Sequence, residues 1–92
     1  MEDTHEDAVR LSIYISSHCA NCDEAYRIAN QARRIRDLEV DVINLDETTA
    51  PVPASVFAVP TYLIDGAIVS LGNPRADEFL GDLQQRSEVG DS

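Results

Sequence analysis

SSHCANCDEA, residues Ser16 to Ala25, holds the only two cysteines of the chain, Cys19 and Cys22. An apolar alternating stretch runs up to it and a helical pattern runs away from it. Two unrelated buried thiols would seldom fall three positions apart at such a junction. A closed metal site would normally recruit two further good ligands. The flanking sequence has to decide what the pair is for.

Upstream, Val9, Leu11, Ile13 and Ile15 alternate with Arg10, Ser12 and Tyr14, the period of a half-buried strand. Downstream, Ala25, Ile28, Ala29, Ala32 and Ile35 recur at helical spacing. Asp23 and Glu24 fall in the first turn of that helix, and Arg33, Arg34 and Arg36 are expected in its last, both favourable to the helix dipole. LEVDVINL, residues 38–45, returns to alternation and predicts a second strand. Strand, helix and strand over this length make a βαβ unit with parallel strands and a right-handed crossover.

Pro51 and Pro53 break the next segment, which reads as a loop with one helical turn near Ala54 to Phe57. Two apolar runs then meet at Asp65-Gly66, a strong hairpin signal. Asn73 is placed to cap a last helix with Pro74 at its first position and Ala76, Phe79, Leu80 and Leu83 on its buried stripe. The expected class is therefore α/β, in the order β-α-β then β-β-α, with a central four-stranded mixed sheet flanked by helices.

With 92 residues, the chain is one small domain. Its expected limits are 9–86, between an acidic, disordered tail at 1–8 and a flexible tail at 87–92. The net charge is −10, and all of the positive charge is arginine. Phosphate backbones and anionic lipid surfaces require basic clusters, so neither nucleic acid nor a membrane is an expected partner. No apolar signal region opens the chain, and no run approaches the roughly 20 apolar residues of a membrane span. A cytoplasmic location is the expectation. Thiols are kept reduced there, so an isolated cysteine pair reads as catalytic or metal-binding rather than as a staple.

In this order of elements the chain resembles the thioredoxin-like family. The likeness is carried by CANC at 19–22, VPTYLIDG at 59–66 and LGNPRADEFLGDL at 71–83, and it extends over roughly residues 9 to 86. In size the chain is similar to glutaredoxins and small archaeal-type thioredoxins. The resemblance implies a CxxC opening the first helix, a cis-proline at Pro60 followed by Thr61 at the third strand, and a glycine, Gly72, before the last helix. Departures are equally specific. His18 stands where thioredoxins carry Trp, Ala20-Asn21 separates the cysteines, and Ile13 occupies the position of the family's buried Asp. The paired acidic motif with which glutaredoxins bind glutathione is not reproduced.

The chemistry expected of the pair is thiol-disulfide exchange, making the protein a thiol-disulfide oxidoreductase that needs no cofactor. Residues i and i+3 are neighbours on a helix, so the two sulfurs can meet. Cys19, at the helix N-terminus, is the expected nucleophile, and Cys22, on the apolar stripe, the resolving thiol. Nearby Asp23 and Glu24 oppose thiolate formation, which favours a reductant over a strong oxidant. His18 is a candidate to tune the thiol. Val59, Pro60, Thr61 and Gly72 are the remaining candidates for substrate binding, with the Val59 backbone pairing to an extended substrate strand. Expected partners are protein disulfides and an electron donor, glutathione or a flavin reductase, acting on a monomer. Two rival readings stay open: soft-metal or iron–sulfur binding through the CxxC, and a non-catalytic thioredoxin-like interaction module.

Overall fold

The computed structural model of the chain describes residues 9–17, 19, 21–49, 51–54, 56 and 58–90, with the backbone alone for 87–90. Its elements are β1 (Val9–Ile15), α1 (Cys22–Ala32), β2 (Leu38–Asn44), β3 (Thr61–Ile64), β4 (Ala67–Leu71) and α2 (Ala76–Gly90). The sheet order is β2-β1-β3-β4, with β2 parallel to β1 and the other pairs antiparallel. This is the mixed four-stranded sheet expected from the alternation pattern.

The odd-numbered residues of β1 carry the core. Leu11 and Ile13 stand opposite Ile64 and Tyr62 on β3. All four join Ala25, Ile28, Ala29 and Ala32 of α1 and Phe79 and Leu83 of α2 in one buried cluster. Both helices therefore lie against the same face of the sheet, and they touch each other. Tyr62 is fully buried and meets Phe79 edge-on, with ring centroids 5.3 Å apart at 82°. That is a favoured aromatic geometry, since the positive ring edge points at the negative face.

On the polar side of β1, Arg10 faces Glu39 in register and reaches both Glu39 and Asp41 of β2 at 2.8 Å. All three side chains are about half exposed, so the pairs contribute little in water. Replacing Arg10 with Met is expected to cost about 1 kcal/mol or less. Urea unfolding at low and high salt checks this: the deficit should shrink in high salt as the lost charges are screened anyway.

The hairpin between β3 and β4 turns at Asp65 and Gly66, with φ of 51° and 88°. Two successive positive φ values are what a two-residue hairpin turn with the right-handed strand twist requires. The Asp65 carboxylate accepts from the Arg10 amide at 3.0 Å and its own amide donates to the Arg10 carbonyl at 2.9 Å, tying the turn to β1.

Three local readings differ from the structure, and β4 carries a bulge that the sequence reading did not address. The helix α1 ends at Ala32, so Arg33, Arg34 and Arg36 lie beyond its last turn. The Arg34 and Ile35 amides there bond three residues back, to Gln31 and Ala32, and tighten the chain out of the α-helix. Asn73 does not cap α2, which begins at Ala76 with the Phe79 amide bonded to the Arg75 carbonyl. The pairing of β3 with β4 shifts between Tyr62 and Leu63, because Ser70 and Ile68 are the successive partners and Val69 is extra. This bulge breaks the strict alternation of β4 and leaves Ile68 and Val69 over a third exposed. Finally, α2 stays helical to Gly90, so the boundary placed after residue 86 falls inside a helix. Helical backbone bonding continues there past Leu83, the last fully buried of its described side chains. The acidic tail expected at 1–8 lies outside the described residues, and so do Ser55 and Phe57 of the helical turn expected near 54–57.

Candidate active site

Three connecting segments meet at one end of the sheet. The CxxC follows the C-terminal end of β1. The Ala58–Pro60 segment enters β3, whose first residue, Thr61, pairs with Tyr14 near that same end. Gly72-Asn73 leaves β4, where Leu71 pairs with Thr61. Antiparallel pairing on both sides of β3 forces this convergence, which the linear sequence does not display.

The cysteines are joined by a disulfide with a Cα–Cα separation of 5.4 Å. Cys22 is 4% exposed and belongs to the core cluster, whereas Cys19 is partly buried and packs at its margin. The two do not share a helix face as the i,i+3 spacing suggests. Cys22 is the first helical residue and Asn21 is the N-cap. Cys19 stands before the helix, in a turn closed by the Cys22 amide donating to the Cys19 carbonyl at 3.3 Å. Asn21 makes no side-chain cap bond, so no side chain from this residue occupies the first-turn amides. Those amides and the helix dipole favour negative charge in front of the helix, where Cys19 sits.

The approach to the CxxC is fixed from β2. The Ser17 amide donates to the Asp46 carboxylate at 2.8 Å, and the Asn44 side-chain amide reaches the Ser17 hydroxyl at 3.3 Å. The Leu45 amide donates to the Ile15 carbonyl at 2.8 Å. Asn44 and Asp46 carried no motif in the sequence. They are found only through the parallel β1–β2 register, which sets Ile15 beside Asn44.

On the other side, the Val59–Pro60 peptide bond is cis. Pro60 is buried and Val59 is half-buried. Thr61 is fully buried and its hydroxyl donates to the Ala58 carbonyl. Its side chain therefore holds the 58–61 turn closed. The Gly72 amide donates to the Pro60 carbonyl at 2.7 Å. Gly72 has φ of 93°. A Cβ there would meet no atom within 4 Å, so an added methyl group would cost backbone conformation rather than space. Gly72→Ala is expected to lose about 1–2 kcal/mol by this cause alone. Thermal unfolding of the variant is the check, and an unchanged midpoint would contradict it.

Asn73 reaches back to the CxxC. Its side-chain amide donates to the Asn21 carbonyl at 2.7 Å, and its Oδ1 accepts from the Tyr62 hydroxyl at 2.7 Å. Burial of Tyr62, and secondarily the charge of Glu24, push the phenol well above its ordinary range, so it remains a donor. Sequence reading gave Asn73 to the helix cap and missed the contact that joins it to Tyr62.

His18 lies outside the described residues. Among the described residues, no group of three Cys, His, Asp or Glu is arranged to hold a metal ion. An open cleft of about 490 Å³, lined by Tyr26, Arg33, Val42, Ile43, Asn44, Glu47 and Thr48, includes neither cysteine. Among the described residues no helix is long and apolar enough to cross a membrane.

A linked CxxC ahead of the first helix of a β-α-β-β-β-α sheet, beside the Ala58–Pro60 turn, defines the thioredoxin-like class of proteins. A family model described as a thioredoxin domain matches residues 9–84, and the chain belongs to that family. Solved structures with the same fold include a mutant thioredoxin from Halobacterium salinarum, 24% identical, with a TM-score of 0.72 over 91% of this chain and 79% of that one. Fasciola hepatica thioredoxin is 18% identical, with a TM-score of 0.67 over 89% of this chain and 84% of that one. A malaria-parasite thioredoxin-2 is 10% identical, with a TM-score of 0.66 over 85% and 82%. No curated protein matches the sequence. Family and site together support a thiol-disulfide redox role.

Proposed function

We propose that the protein is a thiol-disulfide oxidoreductase that reduces protein disulfides, with Cys19 as nucleophile and Cys22 as resolving thiol. The observation that carries this reading is the unequal burial of two cysteines already within disulfide reach, Cys19 partly open and Cys22 4% exposed. A substrate disulfide can approach only the sulfur that faces outward.

In the reduced protein, the Cys19 thiolate attacks one sulfur of the substrate disulfide. A mixed disulfide forms and the other substrate sulfur leaves as a thiolate. Cys22, losing its proton, then attacks the Cys19 sulfur. The Cys19–Cys22 disulfide forms and the second substrate thiol departs. Two electrons pass from the protein dithiol to the substrate, and a donor must return them. Glutathione and a flavin reductase are the two donor classes that fit. The positive end of the α1 dipole favours the Cys19 thiolate. Asp23 and Glu24 in the first turn oppose it, which favours a reductant.

A protein substrate suits a CxxC that lines no part of the open cleft and lies at the sheet end where the Val59 and Gly72 segments converge. Pro60 has no amide hydrogen, and the Val59 backbone beside it offers its polar groups to an extended substrate segment. The net charge of −10 fits a protein that stays monomeric and takes neither nucleic acid nor membrane as partner. The test is reduction of a disulfide-linked protein by dithiothreitol with and without the protein. Acceleration that disappears in Cys19→Ser is expected. No acceleration by the native protein would contradict the proposal.

A further inference from the structure

We infer that Asn73 and Tyr62 are positioning residues that hold the CxxC turn in its disulfide-forming geometry and so set the redox equilibrium of Cys19 and Cys22. The inference rests on the oxidoreductase reading above.

The geometry dictates the direction of each bond. The Asn21 carbonyl can only accept, so the Asn73 group 2.7 Å from it is the NH₂. That leaves Asn73 Oδ1 to accept from Tyr62, whose hydroxyl is 2.7 Å away. The chain of donors runs one way, from the buried phenol through the Asn73 amide to the peptide that joins Asn21 to Cys22. At its inner end, Tyr62 is immobilised by full burial and by Phe79. Its phenol, pushed up by burial and by Glu24, does not become a competing acceptor anion. At its outer end, Asn73 is held by its neighbour Gly72, whose amide is bonded to the Pro60 carbonyl. The clamp thus fastens the short turn between the cysteines to β3, the most buried strand of the sheet.

The Ser17 bonds fix the approach to Cys19 from β2, and Asn21 makes no capping bond of its own. Closing the disulfide requires the turn to give up its freedom. A clamp that persists in the dithiol has already removed that freedom, and one that forms only with the disulfide stabilises the disulfide directly. Both cases have one sign: without the clamp, the disulfide is less favoured relative to the dithiol.

The test is the exchange equilibrium in which protein dithiol and oxidised glutathione give protein disulfide and two reduced glutathiones. Two sulfur–hydrogen bonds are lost on the protein, and two are gained on glutathione. Alkylation and mass measurement read the ratio in wild type, Asn73→Ala, Asn73→Leu and Tyr62→Phe. The Ala and Leu variants are neutral, and Leu preserves bulk should the Ala variant fold poorly. Loss of one net hydrogen bond predicts an equilibrium constant about fivefold lower for both, or about 20 mV toward easier reduction. Tyr62→Phe should fall between these and wild type. Combining it with Asn73→Ala should lower the constant no further than Asn73→Ala alone, because the phenol acts through Asn73.

A constant within twofold of wild type in both Asn73 variants overturns the inference. In that case the bonds are merely structural, and the melting temperatures of oxidised and reduced forms fall equally. If the native protein forms no intramolecular disulfide at any glutathione ratio, the oxidoreductase reading itself fails. That result is distinguishable because it appears in wild type before any variant is compared.

Discussion

Cys22→Ser is expected to accumulate mixed disulfides with its substrates through Cys19, while Cys19→Ser is expected to lose exchange activity to the uncatalysed background and trap nothing. The asymmetry follows from burial and order. Cys19 precedes the helix and is partly open, whereas Cys22 is the first helical residue and sits in the core cluster. A serine hydroxyl at position 19 is not ionised near neutral pH, so no attacking anion remains on the exposed side. With serine at position 22, the first attack still proceeds but the second has no thiol. The intermediate persists until an external thiol removes it. Non-reducing gels and mass spectrometry of the two variants, mixed with a disulfide-linked protein, read the outcome directly. Adducts formed by Cys19→Ser and not by Cys22→Ser would reverse the assignment of nucleophile and resolving thiol.

The second large effect concerns stability. Tyr62→Ala is expected to cost about 3–5 kcal/mol, the range for removing a large aromatic side chain from a core. Tyr62 is fully buried, packs edge-on against Phe79, and shares the cluster with Leu11, Ile13 and Leu83. Its removal opens a cavity between β3 and α2 and leaves Asn73 without its donor. Small domains are stable by only about 5–15 kcal/mol in total, so the variant should be close to unfolding at room temperature. Tyr62→Phe keeps the ring and loses one hydrogen bond, at an expected cost of about 1 kcal/mol. Urea midpoints by circular dichroism separate the two. Equal losses would mean that the hydroxyl, not the packing, stabilises this part of the core.

What the sequence disclosed and what it withheld divide along one physical line. β1 was legible because it is half-buried: the period-2 pattern of Val9, Leu11, Ile13 and Ile15 is a direct image of one covered face. Asp65-Gly66 was legible because few residues tolerate two positive φ values in succession. Ala25, Ile28, Ala29 and Ala32 announced α1 in the same way. The contacts that assemble the site left no such image. Asn73 lies 52 positions from Asn21, and Ser17 lies 29 from Asp46; neither pair has a local spacing to read. An asparagine before a proline and a helix reads as a cap by local rules, and only the folded sheet gives its amide a better partner. The extra residue Val69 was hidden for a related reason. A bulge is a property of two paired strands, and nothing in β4 alone shows it. CxxC spacing suggested neighbours on a helix, whereas the chain meets the same sulfur distance in a turn ahead of one.

Redox titration of the native protein in graded dithiothreitol buffers, with alkylation and mass detection of the Cys19 and Cys22 thiols, decides whether the pair cycles as a dithiol and disulfide. A single two-electron transition to an intramolecular disulfide is expected, at a potential of roughly −230 mV or lower. A potential near roughly −120 mV would contradict the assignment as a reductant. Failure to form the intramolecular disulfide at any poise would contradict the redox function itself.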